Sequence, residues 1–86
     1  MYLHLGQDVV VPSRTIVGIF DIENTSISKI TKEFLGSEEK LHHVINVSME
    51  LPKSFVICRE KGENVVYISQ ISCATLKKRV AAGNGD

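Results

Sequence analysis

The sequence predicts a small single domain of the α+β class, with about six short strands and two helices. Three observations lead there. The chain has 86 residues, a length that normally makes one domain. Runs of β-branched and aromatic residues recur between Gly- and Pro-containing breaks, the pattern of short strands joined by turns. Two other stretches carry apolar residues at helical spacing behind a capping residue. With 43% hydrophobic and 23% charged residues, the chain has the composition of a folded globular domain, not a disordered one.

Each element follows from local chemistry. Tyr2 to Leu5 and Asp8 to Val11 are short β-type runs meeting at Gly6-Gln7, a tight hairpin. Pro12-Ser13-Arg14 interrupts, because proline removes a ladder donor. Thr15 to Ile22 is a third strand rich in β-branched residues. Asn24, Thr25 or Ser26 then caps a helix whose Ile27, Ile30, Phe34 and Leu35 form one apolar stripe, with Lys29 and Glu33 paired on the wet side and Gly36 as its stop. Leu41 to Val47 reads as a strand, and after Pro52-Lys53 so does Ser54 to Arg59. Lys61-Gly62-Glu63-Asn64 is a turn, and Val65 to Ile71 returns as the hairpin partner. Ser72 caps a last helix with Cys73, Leu76 and Val80 as a narrow apolar stripe. The domain therefore occupies residues 1–80, and 81–86 is a small, Gly-rich, flexible tail.

The runs Ile16-Val17-Gly18-Ile19-Phe20, Phe55-Val56-Ile57-Cys58 and Val65-Val66-Tyr67-Ile68 hardly alternate. A strand with one wet face alternates apolar and polar residues, so these strands want cover on both faces. Two helices of roughly ten residues span only about 15 Å each. The sheet therefore curls into a sandwich or barrel, or a second copy of the chain packs against it. Self-association is the expectation, since large exposed apolar patches are uncommon on monomers.

Several classes are excluded. No apolar run approaches the roughly 18–20 residues that span a bilayer, and Met1 to Gly6 lacks the basic segment and apolar core of a signal peptide. A cytoplasmic protein without membrane contact is expected. The glycines at 6, 18, 36, 62, 83 and 85 make neither a P-loop nor a dinucleotide fingerprint, and no nucleophile elbow or zinc-protease helix occurs. Asp21 and Glu23 share a strand face but border a helix start, where carboxylates favour the dipole in any case. No nucleophile–base pair stands out, so an enzyme is not expected. Cys58 and Cys73 are the two cysteines, read as buried, inert thiols. His42 and His43 are adjacent, which in a strand points them to opposite faces. Neither they nor His4 make a metal site with the thiols, and no cofactor is implied.

The ten basic and ten acidic residues cancel, but unevenly. Residues 1–52 hold four basic against seven acidic residues, and residues 53–86 hold six against three. On the last helix Lys77, Lys78 and Arg79 fan around the exposed side at about 100° steps. Arg14 and Lys53 each follow a proline turn and project between strands. Such cations can hold phosphates, with an affinity that falls steeply with salt.

The segments Met1 to Gly6, Asp8 to Val11, Arg14 to Asp21 and Ser72-Cys73-Ala74-Thr75-Leu76-Lys77-Lys78-Arg79, in this order, resemble the bacterial extracellular-matrix regulators of the RemA/RemB family, and the RemB type more. The resemblance covers about residues 1–80. It implies a cytoplasmic, DNA-binding regulator of transcription of biofilm-matrix genes. For RemA-type members it also implies ring-like homo-oligomers and a fold related to the LytTR DNA-binding domain. Arg14 matches a loop arginine implicated in DNA binding, Lys53 falls on a basic position before a strand, and Lys77-Lys78-Arg79 matches the RemB-type ending. The resemblance thus implies double-stranded promoter DNA and further copies of the chain as partners. RemA-type members carry an arginine pair where this sequence has Glu50 and Leu51. That difference favours a second reading, a protein–protein adaptor that acts on other regulators without touching DNA.

Overall fold

Six strands form two sheets in the computed structural model, which describes residues 1–22, 29 and 41–82, with 41–43 described by their backbone alone. Strands β1 (Tyr2–Gly6) and β2 (Val9–Pro12) pair antiparallel. Strands β3 (Ile16–Asp21), β4 (Leu41–Asn46), β5 (Ser54–Glu60) and β6 (Glu63–Ser69) form a four-stranded sheet in the order β3-β5-β6-β4. β5 is antiparallel to both its neighbours, and β4 joins β6 parallel. Helix α1 (Cys73–Ala81) packs on β3 and β1. The expected first helix falls on residues outside those described, save Lys29, which is helical and exposed.

The turns depart slightly from the expected ones. Between β1 and β2 the turn is Gln7-Asp8, one residue late, with Gly6 at φ +123° and Gln7 at φ +48°. A Cβ on Gly6 would also stand 3.3 Å from Val47 Cγ1. Thr15, expected to open β3, instead ends a 3-10 turn spanning Ser13–Thr15. Its Oγ1 donates to Pro12 O at 2.7 Å, and Ser13 N donates to Met1 O at 2.9 Å. The hairpin β5–β6 needs only Lys61-Gly62, at φ +52° and +80°. Positive φ at both central residues gives the primed turn that matches strand twist, so β6 starts at Glu63 and not after Asn64.

The central sheet buries residues on both faces, as its poor alternation requires. On one face Ile19, Val56 and Cys58 pack with Leu3, Leu5, Val11, Val47 and Leu76. On the other lie Phe55, Ile57 and Val66, flanked by Phe20, Ile22 and Ile68. The two-stranded sheet and α1 supply the cover on the first face. Leu76 is the helix's wholly buried residue, worth about 1.5–3 kcal/mol of transfer free energy. Ser72 caps the helix as expected, its Oγ accepting from Thr75 N at 3.2 Å. Val80, expected in the buried stripe, stays exposed at its border. The helix runs through Ala81 with Ala82 as its C-cap, and residues 83–86 lie outside those described.

Candidate nucleic-acid interface

Arg14 sits on the braced 3-10 turn and is exposed. The turn holds it two residues before Ile16, which pairs with Cys58 of β5. Two residues beyond Cys58 begins the Glu60-Lys61-Gly62 tip of the β5–β6 hairpin. Arg14 therefore shares one end of the sheet with the exposed Arg59 and Lys61. The sequence reading did not single these two out. Placing them beside Arg14 requires knowing that β3 pairs with β5, which no local pattern states.

The last helix brings its cations to the same end. Its first turn lies beside Asp21 and Lys53, whereas Lys77, Val80 and Ala81 lie beside Ile16 and Gly18. It thus runs antiparallel to β3. Lys77 and Lys78 are exposed and Arg79 is half-buried, so the fan deduced from helical geometry holds with one member leaning on the protein.

Lys53 is elsewhere. Its neighbour Ser54 pairs with Asp21, at the opposite end of β3 from Ile16. Five strand steps at about 3.3 Å separate these ends by roughly 17 Å. Lys53 is exposed and shares a pocket with Asp21, Ser72, Cys73 and Ala74. The five sequence candidates therefore do not converge. Arg14, Lys77, Lys78 and Arg79 gather toward one end, and Lys53 stands at the other.

The zero net charge conceals this polarity. Among the described residues, six cationic side chains (Arg14, Arg59, Lys61, Lys77, Lys78, Arg79) lie toward the Arg14 end with two carboxylates, Glu60 and Glu63. The Lys53 end carries, among the described residues, Asp8, Asp21 and Glu50 around that lysine. The placement of Asp8 there follows from the β1–β2 turn lying beside Val47, where Ser69 Oγ donates to Leu5 O at 2.6 Å.

The thiols are not poised for chemistry. Burial pushes Cys58 up to about 11, opposed in part by a hydrogen bond from Thr15 and aided to the least degree by the Glu60 carboxylate. Its thiol is neutral at physiological pH. Cys73, expected to be buried, is half-buried, and its Sγ donates to Ile19 O at 3.6 Å. Among the described residues, no three His, Cys, Asp or Glu side chains converge to hold a metal ion. Nor is any helix among them long and apolar enough to cross a membrane.

Comparison with known proteins yields a family and a relative. A model of the RemA-like family, described as extracellular matrix regulatory protein A-like, matches residues 2–80. Extracellular matrix regulatory protein B of Bacillus subtilis (strain 168) is 43% identical over 79 residues, covering 92% of this chain and 89% of the relative. No solved structure matches.

Proposed function

Since the chain belongs to the RemA-like family of extracellular matrix regulatory proteins, we propose that it regulates transcription of matrix genes as a cytoplasmic homo-oligomer that binds promoter DNA. The role is regulatory and not enzymatic. The observation that supports DNA contact is the concentration of cations around Arg14 in a chain of zero net charge. Arg14, Lys78 and Arg79 are the phosphate contacts, with Lys77 beside them and with Arg59 and Lys61 joining at the hairpin tip. Lys53, at the opposite end of β3, stands outside this set of phosphate contacts. One subunit offers few contacts, so several must act along one DNA, where linkage raises the effective concentration of each. The kinship to LytTR domains implied by the resemblance belongs to the same proposal.

The experiment is a titration of matrix-gene promoter DNA by wild type and Arg14→Ala at two salt concentrations, with oligomer mass measured in parallel. The expected result is salt-sensitive binding, weakened by Arg14→Ala at unchanged mass, because a loop guanidinium holds phosphate and not the core. Equal affinities would refute the assignment of Arg14. The adaptor reading draws its support from the exposed Met49-Glu50-Leu51, and it takes over if wild type fails to bind DNA at low salt.

A further inference from the structure

We propose that the loop 48–52 of one copy of this chain docks Met49, Glu50 and Leu51 into the groove between β3 and α1 of a second copy. The contact is head-to-tail. It rests on the homo-oligomeric reading above and names the two surfaces that would make the assembly.

The loop has the properties of a preformed knob. Met49 and Leu51 are 103% and 82% exposed, yet the segment carrying them is tied down. Val47 N donates to Ile68 O and Lys53 N to Ser69 O, both at 2.9 Å, so each end is fastened to β6 or its end. Within the loop, Glu50 N donates to Ser48 Oγ at 3.0 Å. A braced loop loses little conformational freedom on docking, which favours affinity.

The groove is the complement. Ile16, Gly18, Ile19, Lys77, Val80 and Ala81 line about 260 Å³ of nearly wholly apolar space. Among the described residues Lys77 is its one charged side chain. An apolar–acidic–apolar knob thus meets an apolar slot with a single cation. The knob's end of the molecule also carries Asp8 and Asp21, whereas the groove lies toward the cationic end, so head-to-tail approach is attractive and head-to-head approach repulsive. Neither Arg14, Arg59 nor Lys61 lines the groove, which leaves the DNA-facing tip uncovered.

Knob and groove do not meet within one chain. The loop crosses from β4 to β5 at the end of the sheet where Ser54 pairs with Asp21, whereas the groove lies beside Ile16 and Gly18 toward the other end. From Asp21 back to Gly18 and Ile16 is three to five strand steps, roughly 10–17 Å. Docking one patch on a different patch makes a heterologous contact, which closes into a ring or continues as a filament. The bulge at Val17, where β3 shifts register between Ile16 and Gly18, blunts this stretch of the strand against direct strand pairing.

The test uses light scattering behind size exclusion at tens of micromolar. Leu51→Asp removes the knob at an exposed position, and Val80→Asp blocks the groove. Each alone should fall to the 9.5 kDa chain mass, with circular dichroism showing that both are folded. Mixed in equal amounts they should form a heterodimer of twice that mass, through the one intact knob and the one intact groove. Lys77→Glu is the second groove variant. It should also dissociate the assembly, and Glu50→Lys in the same chain should restore it. An assembly that persists in Leu51→Asp, including one that only Val80→Asp dissociates, overturns the proposal, as does a mixture that stays monomeric. A monomeric wild type would instead remove the oligomeric reading on which the proposal stands.

Discussion

Replacing Ser69 by Ala tests how the two sheets are joined. Ser69 is wholly buried, and its Oγ donates to Leu5 O at 2.6 Å while accepting from Ile71 N at 3.0 Å. The β1–β2 ladder shifts register between His4 and Gly6, leaving Leu5 out of the paired positions. The serine hydroxyl therefore supplies the donor that the bulge withholds from Leu5 O. Ser69→Ala strands a buried carbonyl, at about 1–3 kcal/mol, and frees a partly buried N–H at roughly 1 kcal/mol. The sum is about 2–4 kcal/mol, and for a domain this small it lowers the melting temperature by roughly 10–30 °C. The assay is urea unfolding of wild type and variant at one protein concentration, since assembly adds to apparent stability. A loss below about 0.5 kcal/mol would refute the claim that this hydroxyl joins the sheets.

Two further outcomes are expected. A Cβ on Gly18 would run into the ring of Phe20, itself held 5.8 Å from the Phe55 ring. Gly18→Ala should therefore cost about 1–3 kcal/mol by overpacking, and a neutral result in urea unfolding would show that the Phe20 ring gives way freely. Cys58 ionises near 9.0 when unfolded and at about 11 when folded, so the unfolded chain loses its proton first. Stability is unaffected by this thiol below pH 9 and falls between pH 9 and 11, by up to about 2–3 kcal/mol. Tyr67, raised by burial and then by Cys58 and Glu60, acts in the same direction and is present in both proteins compared. Unfolding midpoints of wild type and Cys58→Ala across that window should diverge from parallel, and parallel curves would contradict the shift.

Much of the fold was legible because its signals are local. Ser72 declares a helix by its capping hydroxyl, and Lys61-Gly62 declares a hairpin by supplying the positive φ that the turn demands. Unbroken apolar runs at Phe55–Cys58 announced a sheet buried on both faces. What stayed hidden is set by long-range pairing. Nothing near Leu41 states that its strand joins β6 in parallel, and nothing near Arg14 states that Cys58 will be its neighbour across the ladder. The candidate site suffered for the same reason. Arg14 and Lys53 look alike in sequence, each just after a proline turn, yet strand direction sends them to opposite ends. Arg59 and Lys61 read only as a strand end and a turn residue, and the β3–β5 pairing is what sets them at the Arg14 end. Cys73 was read as buried from its helical phase, but as the first residue of α1 it lies where the helix meets the surface.

The central claim is that the Arg14 end of the molecule carries the phosphate contacts. Its most direct test is the salt dependence of binding to one promoter fragment by wild type, Arg14→Ala and Lys53→Ala. Each neutralised phosphate adds about −0.9 to the slope of log K against log salt. Arg14→Ala should weaken binding and flatten the slope by about one for every subunit touching DNA, while Lys53→Ala keeps the wild-type slope. Three identical slopes, or a flattening confined to Lys53→Ala, would contradict the account.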